Sequence, residues 1–139
     1  VGGFTTQRVA DLDADALAGC GFSRRKVEYV QDLARHFLDG RIDPARWTHE
    51  DDETVINELV DVRGIGRWTA EMFLIFYLRR PDVWPVDDIG LQKAVALHYQ
   101  RGERPTPKQL RNIGGQFAPW RTVATWYLWR SLDPVAVQY

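Results

Sequence analysis

The chain of 139 residues is 45% hydrophobic and 27% charged, and its formal net charge is −1. These values are typical of one ordinary globular domain, and they argue against nucleic-acid binding through bulk positive charge alone. A single cysteine, Cys20, excludes an intrachain disulfide and an iron–sulfur cluster held by cysteines. The longest apolar run, residues 72–78, is too short to cross a bilayer, and no secretory signal is visible. We therefore expect one cytoplasmic domain over residues 1–139, without membrane association.

Hydrophobic periodicity predicts helices along nearly the whole chain. Ser23 is a suitable N-cap for a helix that runs to Leu38 and is stopped by Gly40. Either Asp51 or Asp52 is expected to start the next helix. The buried stripe of that second helix is predicted to comprise Val55, Ile56, Leu59 and Val60.

Residues 67–79 are apolar on nearly every face, which is typical of a central helix surrounded by other helices. Residues 73–78 could instead form a buried strand, but the length and the preceding Thr-Ala-Glu favour helix. Three more helices are predicted over residues 89–99, 106–113 and 120–131. Thr106 is the expected cap of the second of these, with Pro107 at its first position. The predicted fold class is all-α.

A glycine-rich turn lies between two predicted helices, within residues 62–67. Glycine allows a positive φ, and its missing side chain lets a phosphate approach the N–H groups of the following helix. Arg67 in the first turn opposes the helix dipole unless an anion binds nearby. A structural corner between helices with a solvated arginine remains an open alternative. The candidate phosphate-binding residues are Gly64, Ile65, Gly66, Arg67 and Thr69.

Two carboxylates, Asp87 and Asp88, stand at the start of the helix predicted over residues 89–99. The positive end of the helix dipole and the N–H groups of the first turn favour an ionised carboxylate there. Such a group is a poor general acid, but it suits stabilising a developing cation or accepting a proton from water. The alternative is that one of the pair merely caps the helix.

Six tryptophans in a chain of this length are many. Trp68 stands beside the glycine turn, and Trp126 and Trp129 share one face of the last helix at three-residue spacing. Their rings could stack on an electron-poor base, although core packing explains most tryptophans. The three histidines, by contrast, have no spacing that would hold a catalytic zinc. They are His36, His49 and His98.

Two long motifs resemble the helix–hairpin–helix DNA glycosylases, the HhH-GPD superfamily. They are Leu-Val-Asp-Val-Arg-Gly-Ile-Gly-Arg-Trp-Thr-Ala-Glu-Met at residues 59–72 and Asp-Val-Trp-Pro-Val-Asp-Asp-Ile-Gly-Leu at residues 82–91. Phe-Ser-Arg-Arg-Lys-Val-Glu-Tyr at residues 22–29 and Pro-Trp-Arg at residues 119–121 are similar to the 3-methyladenine DNA glycosylase II (AlkA-like) group. The resemblance implies the helix–hairpin–helix glycosylase fold. It also implies hydrolysis of the N-glycosidic bond of alkylated purines, of the 3-methyladenine and 7-methylguanine type, in base excision repair.

The resemblance also implies roles for particular residues. The catalytic carboxylate would be Asp88, because Leu91 lies three positions beyond it as the family requires, whereas Asp87 would place Gly90 there. Trp68 occupies the position at which bifunctional relatives carry a lysine nucleophile, so we expect a monofunctional enzyme without a Schiff base. Trp68 and Trp129 would line the base pocket.

The resemblance implies duplex DNA with a damaged base as the partner, and no required cofactor. A structural Na+ or K+ is expected at the hairpin, held by main-chain carbonyls. The carbonyls suggested by position are those of Val60, Val62 and Ile65.

Family members normally carry a further helical segment before the equivalent of Phe4, and this chain lacks it. We therefore expect a fragment of the family fold, a natural truncation, or a chain that covers its apolar central helix by forming a homo-oligomer. A non-catalytic helix–hairpin–helix DNA-binding remnant is the main alternative to an enzyme. It would need only the hairpin, whereas retention of Asp88, Trp68 and Trp129 favours catalysis. An all-α protein-interaction domain has only its apolar helices in its favour.

Overall fold

The computed structural model describes residues 5–133, and these residues form helices joined by turns, with no strand among them. The all-α prediction is confirmed, and the alternative of a strand at residues 73–78 is wrong. Residues 1–4, including Phe4, lie outside the described part. The eight helices are α1 (Thr6–Asp11), α2 (Ala14–Gly19), α3 (Arg24–Leu38), α4 (Asp52–Asp61), α5 (Arg67–Phe76), α6 (Ile89–Tyr99), α7 (Pro107–Gly115) and α8 (Arg121–Arg130).

Three helices begin at the caps that the sequence indicates. The Ser23 hydroxyl accepts a hydrogen bond from the Lys26 N–H, and the Asp51 carboxylate accepts one from Thr54. Thr106 and Gln109 form a reciprocal capping box, with Pro107 at the first helical position. These side chains satisfy N–H groups that a helix start otherwise leaves exposed, which is why the helix starts could be predicted from local sequence.

Two short helices at the N-terminal end of the described chain were not predicted. Helices α1 and α2 have six residues each, and each buries a single hydrophobic residue, Val9 and Leu17. Both pack on α3. A helix this short shows too few turns for a hydrophobic period, so its stability depends on tertiary packing that the sequence pattern does not reveal.

Two expectations about burial and length need correction. Val60 is 41% exposed, because the buried stripe of α4 continues to Val62 instead. Helix α5 ends at Phe76, three residues before the predicted end, and Arg79 then adopts a positive φ of 56°. The end of α5 is not surrounded by other helices, since Phe76 and Tyr77 are both exposed.

The chain divides into two compact units, Val1–Ala70 and Glu71–Tyr139. In the first unit, the buried His36 of α3 places Nδ1 2.8 Å from the Asp32 carbonyl and Nε2 3.0 Å from the Asp61 carboxylate. The hydrogen bond that Asp61 accepts from His36 holds the pKa of Asp61 below its usual value. This contact joins α3 to the end of α4, immediately before the predicted hairpin.

The second unit is built around a hydrophobic core supplied by α6, α7, α8 and the loop before α6. A polar brace joins that loop to the start of α8: Arg121 donates two hydrogen bonds of 2.7 Å from its side chain to Asp82. Thr122 also accepts from the Val83 N–H at 2.9 Å and donates to the Arg80 carbonyl at 2.7 Å. The core residues are Trp84, Leu91, Ala94, Val95, Leu110, Ile113 and Leu128.

Candidate functional site

The glycine turn forms a tight hairpin between α4 and α5. The Val62 N–H donates to the Leu59 carbonyl at 3.2 Å, and the Ile65 N–H donates to the Val62 carbonyl at 3.1 Å. Gly64 adopts a φ of 89°, which L-residues rarely tolerate. Helix α5 then begins at Arg67, so the N–H groups of its first turn point out of the hairpin.

Helix α3 supports the hairpin from behind. The ring of Tyr29 packs so closely on Gly64 that a Cβ at this position would lie 2.6 Å from the Tyr29 Cγ. The Asp32 carboxylate accepts a hydrogen bond of 2.8 Å from the backbone N–H of Arg63. Gly64 is therefore required by its conformation and by its neighbour, whereas Gly66 has nothing within 4 Å of an added Cβ.

Arg67 forms an ion pair within the first unit. Its guanidinium donates to both carboxylate oxygens of Glu53, one of them at 3.0 Å. The hydrogen bond from Arg67 holds the pKa of Glu53 below its usual value. The sequence suggested that an anion should sit near this arginine, and in this structure the anion is the carboxylate of Glu53.

Asp88 is the N-cap of α6, while Asp87 beside it is exposed. Asp88 is 9% exposed, and its Oδ1 accepts two hydrogen bonds. One comes from the Leu91 N–H at 2.6 Å and the other from the indole Nε1 of Trp129 at 2.7 Å. The carboxylate therefore caps the helix and also contacts a predicted base-binding residue from 41 positions further along the chain.

Trp129 also belongs to an aromatic cluster, defined as Phe76, Trp126 and Trp129. Phe76 stacks on Trp129 with ring centroids 6.1 Å apart and an interplanar angle of 3°. Trp126 packs edge-on against both rings. Phe76 and Trp126 are 56% and 50% exposed, so the cluster is open to solvent beside a buried carboxylate. Phe76 was not predicted, because it lies at the end of an apolar run that is typical of a core.

The two predicted base-binding tryptophans lie in different compact units. Trp68 lies in the first unit and is 47% exposed, whereas Trp129 belongs to the second unit. A cavity of about 600 Å³ lies along another face of α8, lined by residues that include Tyr99, Phe117 and Tyr127. It does not include Asp88 or Trp129, so it is separate from the carboxylate site.

Residues 5–133 contain no group of three or more His, Cys, Asp or Glu side chains that could hold a metal ion. A monovalent cation at the hairpin would instead need main-chain oxygens. The Val62 carbonyl accepts the Ile65 N–H, but a carbonyl oxygen has two lone pairs and can also face a cation. The Val62 carbonyl therefore keeps one lone pair with which it can contact a cation. None of the described helices is long and apolar enough to span a membrane.

Comparison with known proteins identifies the family. Residues 1–119 match the model of the HhH-GPD superfamily base excision DNA repair proteins. DNA-3-methyladenine glycosylase 1 of Schizosaccharomyces pombe is 36% identical over 129 residues, which are 91% of this chain and 56% of the relative. DNA-3-methyladenine glycosylase 2 of Escherichia coli is 31% identical over 125 residues, 90% of this chain and 41% of the relative. The chain thus spans about half the length of these curated relatives.

Solved structures give the same assignment. The S. pombe 3-methyladenine DNA glycosylase Mag1, in complex with abasic DNA, superposes with a TM-score of 0.79 at 33% identity over 96% of this chain and 66% of Mag1. DNA-3-methyladenine glycosidase of Bacillus halodurans gives 0.84 at 37% identity over 94% of this chain and 60% of that protein. The helical fold, the hairpin and the matched residues agree, and the chain belongs to the HhH-GPD superfamily of base excision DNA repair proteins.

Proposed function

We propose that this chain carries the catalytic part of a monofunctional DNA glycosylase acting in base excision repair. Its substrates are alkylated purines of the 3-methyladenine and 7-methylguanine type in duplex DNA. The observation that carries the proposal is the Asp88 carboxylate, held by the Leu91 N–H and the Trp129 indole beside an open aromatic cluster. The names of the relatives, and the DNA bound to one of them, support the substrate class.

The chemistry that this arrangement can perform is hydrolysis through an oxocarbenium-like sugar. The C1′–N bond breaks and both electrons leave with the base nitrogen, which neutralises the positive charge of an alkylated purine. The Asp88 carboxylate stabilises the positive charge that develops at the sugar. A water oxygen then bonds to C1′ and gives its proton to Asp88. Trp68 replaces the nucleophilic lysine of bifunctional relatives, so the strand is left uncut.

Aromatic rings supply the selectivity in this proposal. A flipped alkylated purine is planar and electron-poor, and it gains stacking and cation–π energy against tryptophan. Trp68 and Trp129 are the proposed walls, and the exposure of Trp68 leaves it accessible to a base. Because alkylation also weakens the glycosidic bond, few hydrogen bonds to the base are needed.

The hairpin is the proposed contact with the DNA backbone. N–H groups at a helix start bind phosphate without reading sequence, and the open space around Gly66 permits a close approach. Gly64 is proposed to contact the phosphate through its backbone. The other proposed phosphate contacts are Ile65, Arg67 and Thr69. A Na+ or K+ held by the carbonyls of Val60, Val62 and Ile65 would add positive charge facing the phosphate. Because its proposed substrate is DNA, this chain is proposed to act inside the cell.

The test is release of methylated purines from an alkylated duplex oligonucleotide, under single-turnover conditions, by the wild-type chain and by Asp88→Asn. Asparagine still caps a helix, so α6 is expected to persist while the negative charge is lost. We expect the rate constant to fall by about 100-fold or more, as when a group that stabilises transition-state charge is removed. Duplex binding, measured by fluorescence anisotropy, is expected to persist.

Asp87→Asn is the matched control, since it removes the same charge from the exposed neighbour. It is expected to release bases at the wild-type rate. Equal losses in both variants would contradict the role given to Asp88. No release by the wild-type chain, with duplex binding intact, would favour the non-catalytic DNA-binding remnant.

A further inference from the structure

We propose that Gly90 and Trp129 act together as positioning residues for the Asp88 carboxylate, with Gly90 providing the space in which the Trp129 indole reaches it. This inference rests on the proposed function, since it concerns the same carboxylate. It gives Trp129 a role beyond that of an aromatic wall, and it gives Gly90 a role that the sequence did not suggest.

Two different helices hold the Asp88 carboxylate. Asp88 Oδ1 accepts one hydrogen bond from the backbone of α6 and one from a side chain of α8. Two donors from different directions fix the rotation of the carboxylate as well as its position. The Leu91 N–H would be present in any helix capped by this residue, so the indole is the contact specific to this site.

Gly90 packs closely against both partners of the hydrogen bond between Asp88 and Trp129. An added Cβ at this position would lie 3.0 Å from Asp88 Oδ1, 3.0 Å from Trp129 Cδ1 and 3.1 Å from Trp129 Nε1. The Cβ would therefore lie beside this hydrogen bond, in close contact with both its donor and its acceptor, so that at least one of them would have to shift. Neither neighbour is free to withdraw easily, because Oδ1 is also held by the Leu91 N–H and the Trp129 ring is stacked on Phe76.

Helix formation does not require a glycine at position 90. Gly90 is the second residue of α6 and has no positive φ, so alanine would be the better helix former here. A glycine that is unfavourable for the helix, and whose Cβ would touch both partners of one hydrogen bond, is explained by the need for that bond.

The experiment compares Trp129→Phe and Gly90→Ala in single-turnover base release and in duplex binding. Phenylalanine keeps an aromatic ring against Phe76 but has no N–H donor. Because a hydrogen bond to a charged group is lost, we expect the rate constant to fall by about 10- to 100-fold for Trp129→Phe. Gly90→Ala is expected to produce a smaller loss of the same kind, and duplex affinity is expected to stay within about twofold in both variants.

Gly115→Ala is the matched control, because Gly115 is also helical, has no positive φ and has nothing within 4 Å of an added Cβ. It is expected to leave base release unchanged. The melting temperature of each variant is measured alongside. A loss of rate in Gly90→Ala without a fall in melting temperature supports positioning, whereas parallel losses of both overturn it.

Two further readouts separate positioning from a purely aromatic role. If Gly90 acts through the indole hydrogen bond, then Gly90→Ala adds little to the defect of Trp129→Phe, so the double variant is non-additive. A misplaced carboxylate is also expected to slow the release of 3-methyladenine and of 7-methylguanine by the same factor, because Asp88 acts on the sugar and not on the base. Fully additive losses, or a loss confined to one base, would overturn the proposal.

Failure of this inference is distinguishable from failure of the proposed function. If Asp88→Asn abolishes release while Trp129→Phe and Gly90→Ala both retain the wild-type rate, the enzyme assignment stands and the positioning role is wrong. If the wild-type chain releases no base, the proposed function fails, and the positioning role for catalysis fails with it.

Discussion

Residues 62–67 close their turn with backbone hydrogen bonds between near neighbours and are supported by Tyr29 and Asp32 of α3, whereas the Asp88 carboxylate bonds directly to a side chain 41 positions away. The hairpin uses backbone hydrogen bonds and one glycine in the left-handed region. The carboxylate site uses the start of α6, the aromatic face of α8 and the end of α5. The two regions therefore fail in different ways: the hairpin when its backbone is constrained, and the carboxylate site when distant elements shift.

The largest expected effect is that of Gly64→Ala on the hairpin. Alanine is disfavoured at a φ of 89°, and its Cβ would lie 2.6 Å from the Tyr29 Cγ. Left-handed strain and overpacking together are expected to lower the free energy of unfolding by about 3 kcal/mol. Urea denaturation followed by circular dichroism measures the loss.

Gly66→Ala is the matched control for that variant. Gly66 has no positive φ and open space around it, so stability is expected to be retained. Its added methyl group is expected to weaken binding to damaged and undamaged duplexes alike, as loss of a phosphate contact does. A loss confined to damaged duplexes would mean that the hairpin contacts the base and not the backbone.

The second largest effect is expected from the brace that joins the loop before Asp88 to α8. Asp82→Asn weakens the paired hydrogen bonds from Arg121, and this part-buried contact is expected to contribute about 1–2 kcal/mol. Since α8 carries Trp129, base release is expected to slow more than duplex binding weakens. The control is Asp133→Asn, which removes the exposed partner of Arg130 at the end of the same helix. It is expected to change neither base release nor duplex binding. Equal effects of the two variants would show that the brace has no special importance for the site.

The same contrast explains what could be predicted from sequence. The caps Ser23, Asp51 and Thr106 and the backbone hydrogen bonds of the hairpin are local features, whereas the contacts that α3 makes with the hairpin were not predicted. Asp88 was identified from a motif, but its contact with Trp129 depends on how α8 packs on α6, which no local pattern encodes. The brace from Asp82 to Arg121 was not predicted for the same reason.

Burial was harder to predict than helix position. Val60 was predicted to be buried and is exposed, because the last turn of α4 presents Val62 to the core instead. Phe76 belongs to a run that is apolar on all faces, so periodicity could not separate its exposed ring from the buried Leu74 and Ile75. Such a run records that a segment is apolar, but not which of its sides is covered.

The pH dependence of stability provides a second test of the brace between Asp82 and Arg121. The hydrogen bond from Arg121 holds the pKa of Asp82 below its usual value. The stability contributed by this pair is therefore fully present above the ordinary carboxyl pKa of about 4, and it is lost as the pH falls through the lowered native value. Wild type and Asp82→Asn are expected to differ in melting temperature at pH 7 and to converge as the pH falls through the lowered native pKa of Asp82. A constant difference down to the lowest pH would contradict this account.

The smallest expected effect concerns charge at the hairpin. Glu53 pairs with Arg67, so a bound phosphate would have to share that guanidinium with a carboxylate. Glu53→Gln removes the competing negative charge, and we expect duplex affinity at low salt to rise by about two- to fivefold, with a steeper dependence on salt. Glu28→Gln removes a charge from the longer ion pair with Arg63 and serves as the comparison. If Glu53→Gln binds DNA no more tightly than Glu28→Gln, Arg67 makes no phosphate contact, and binding at the hairpin depends on its backbone alone.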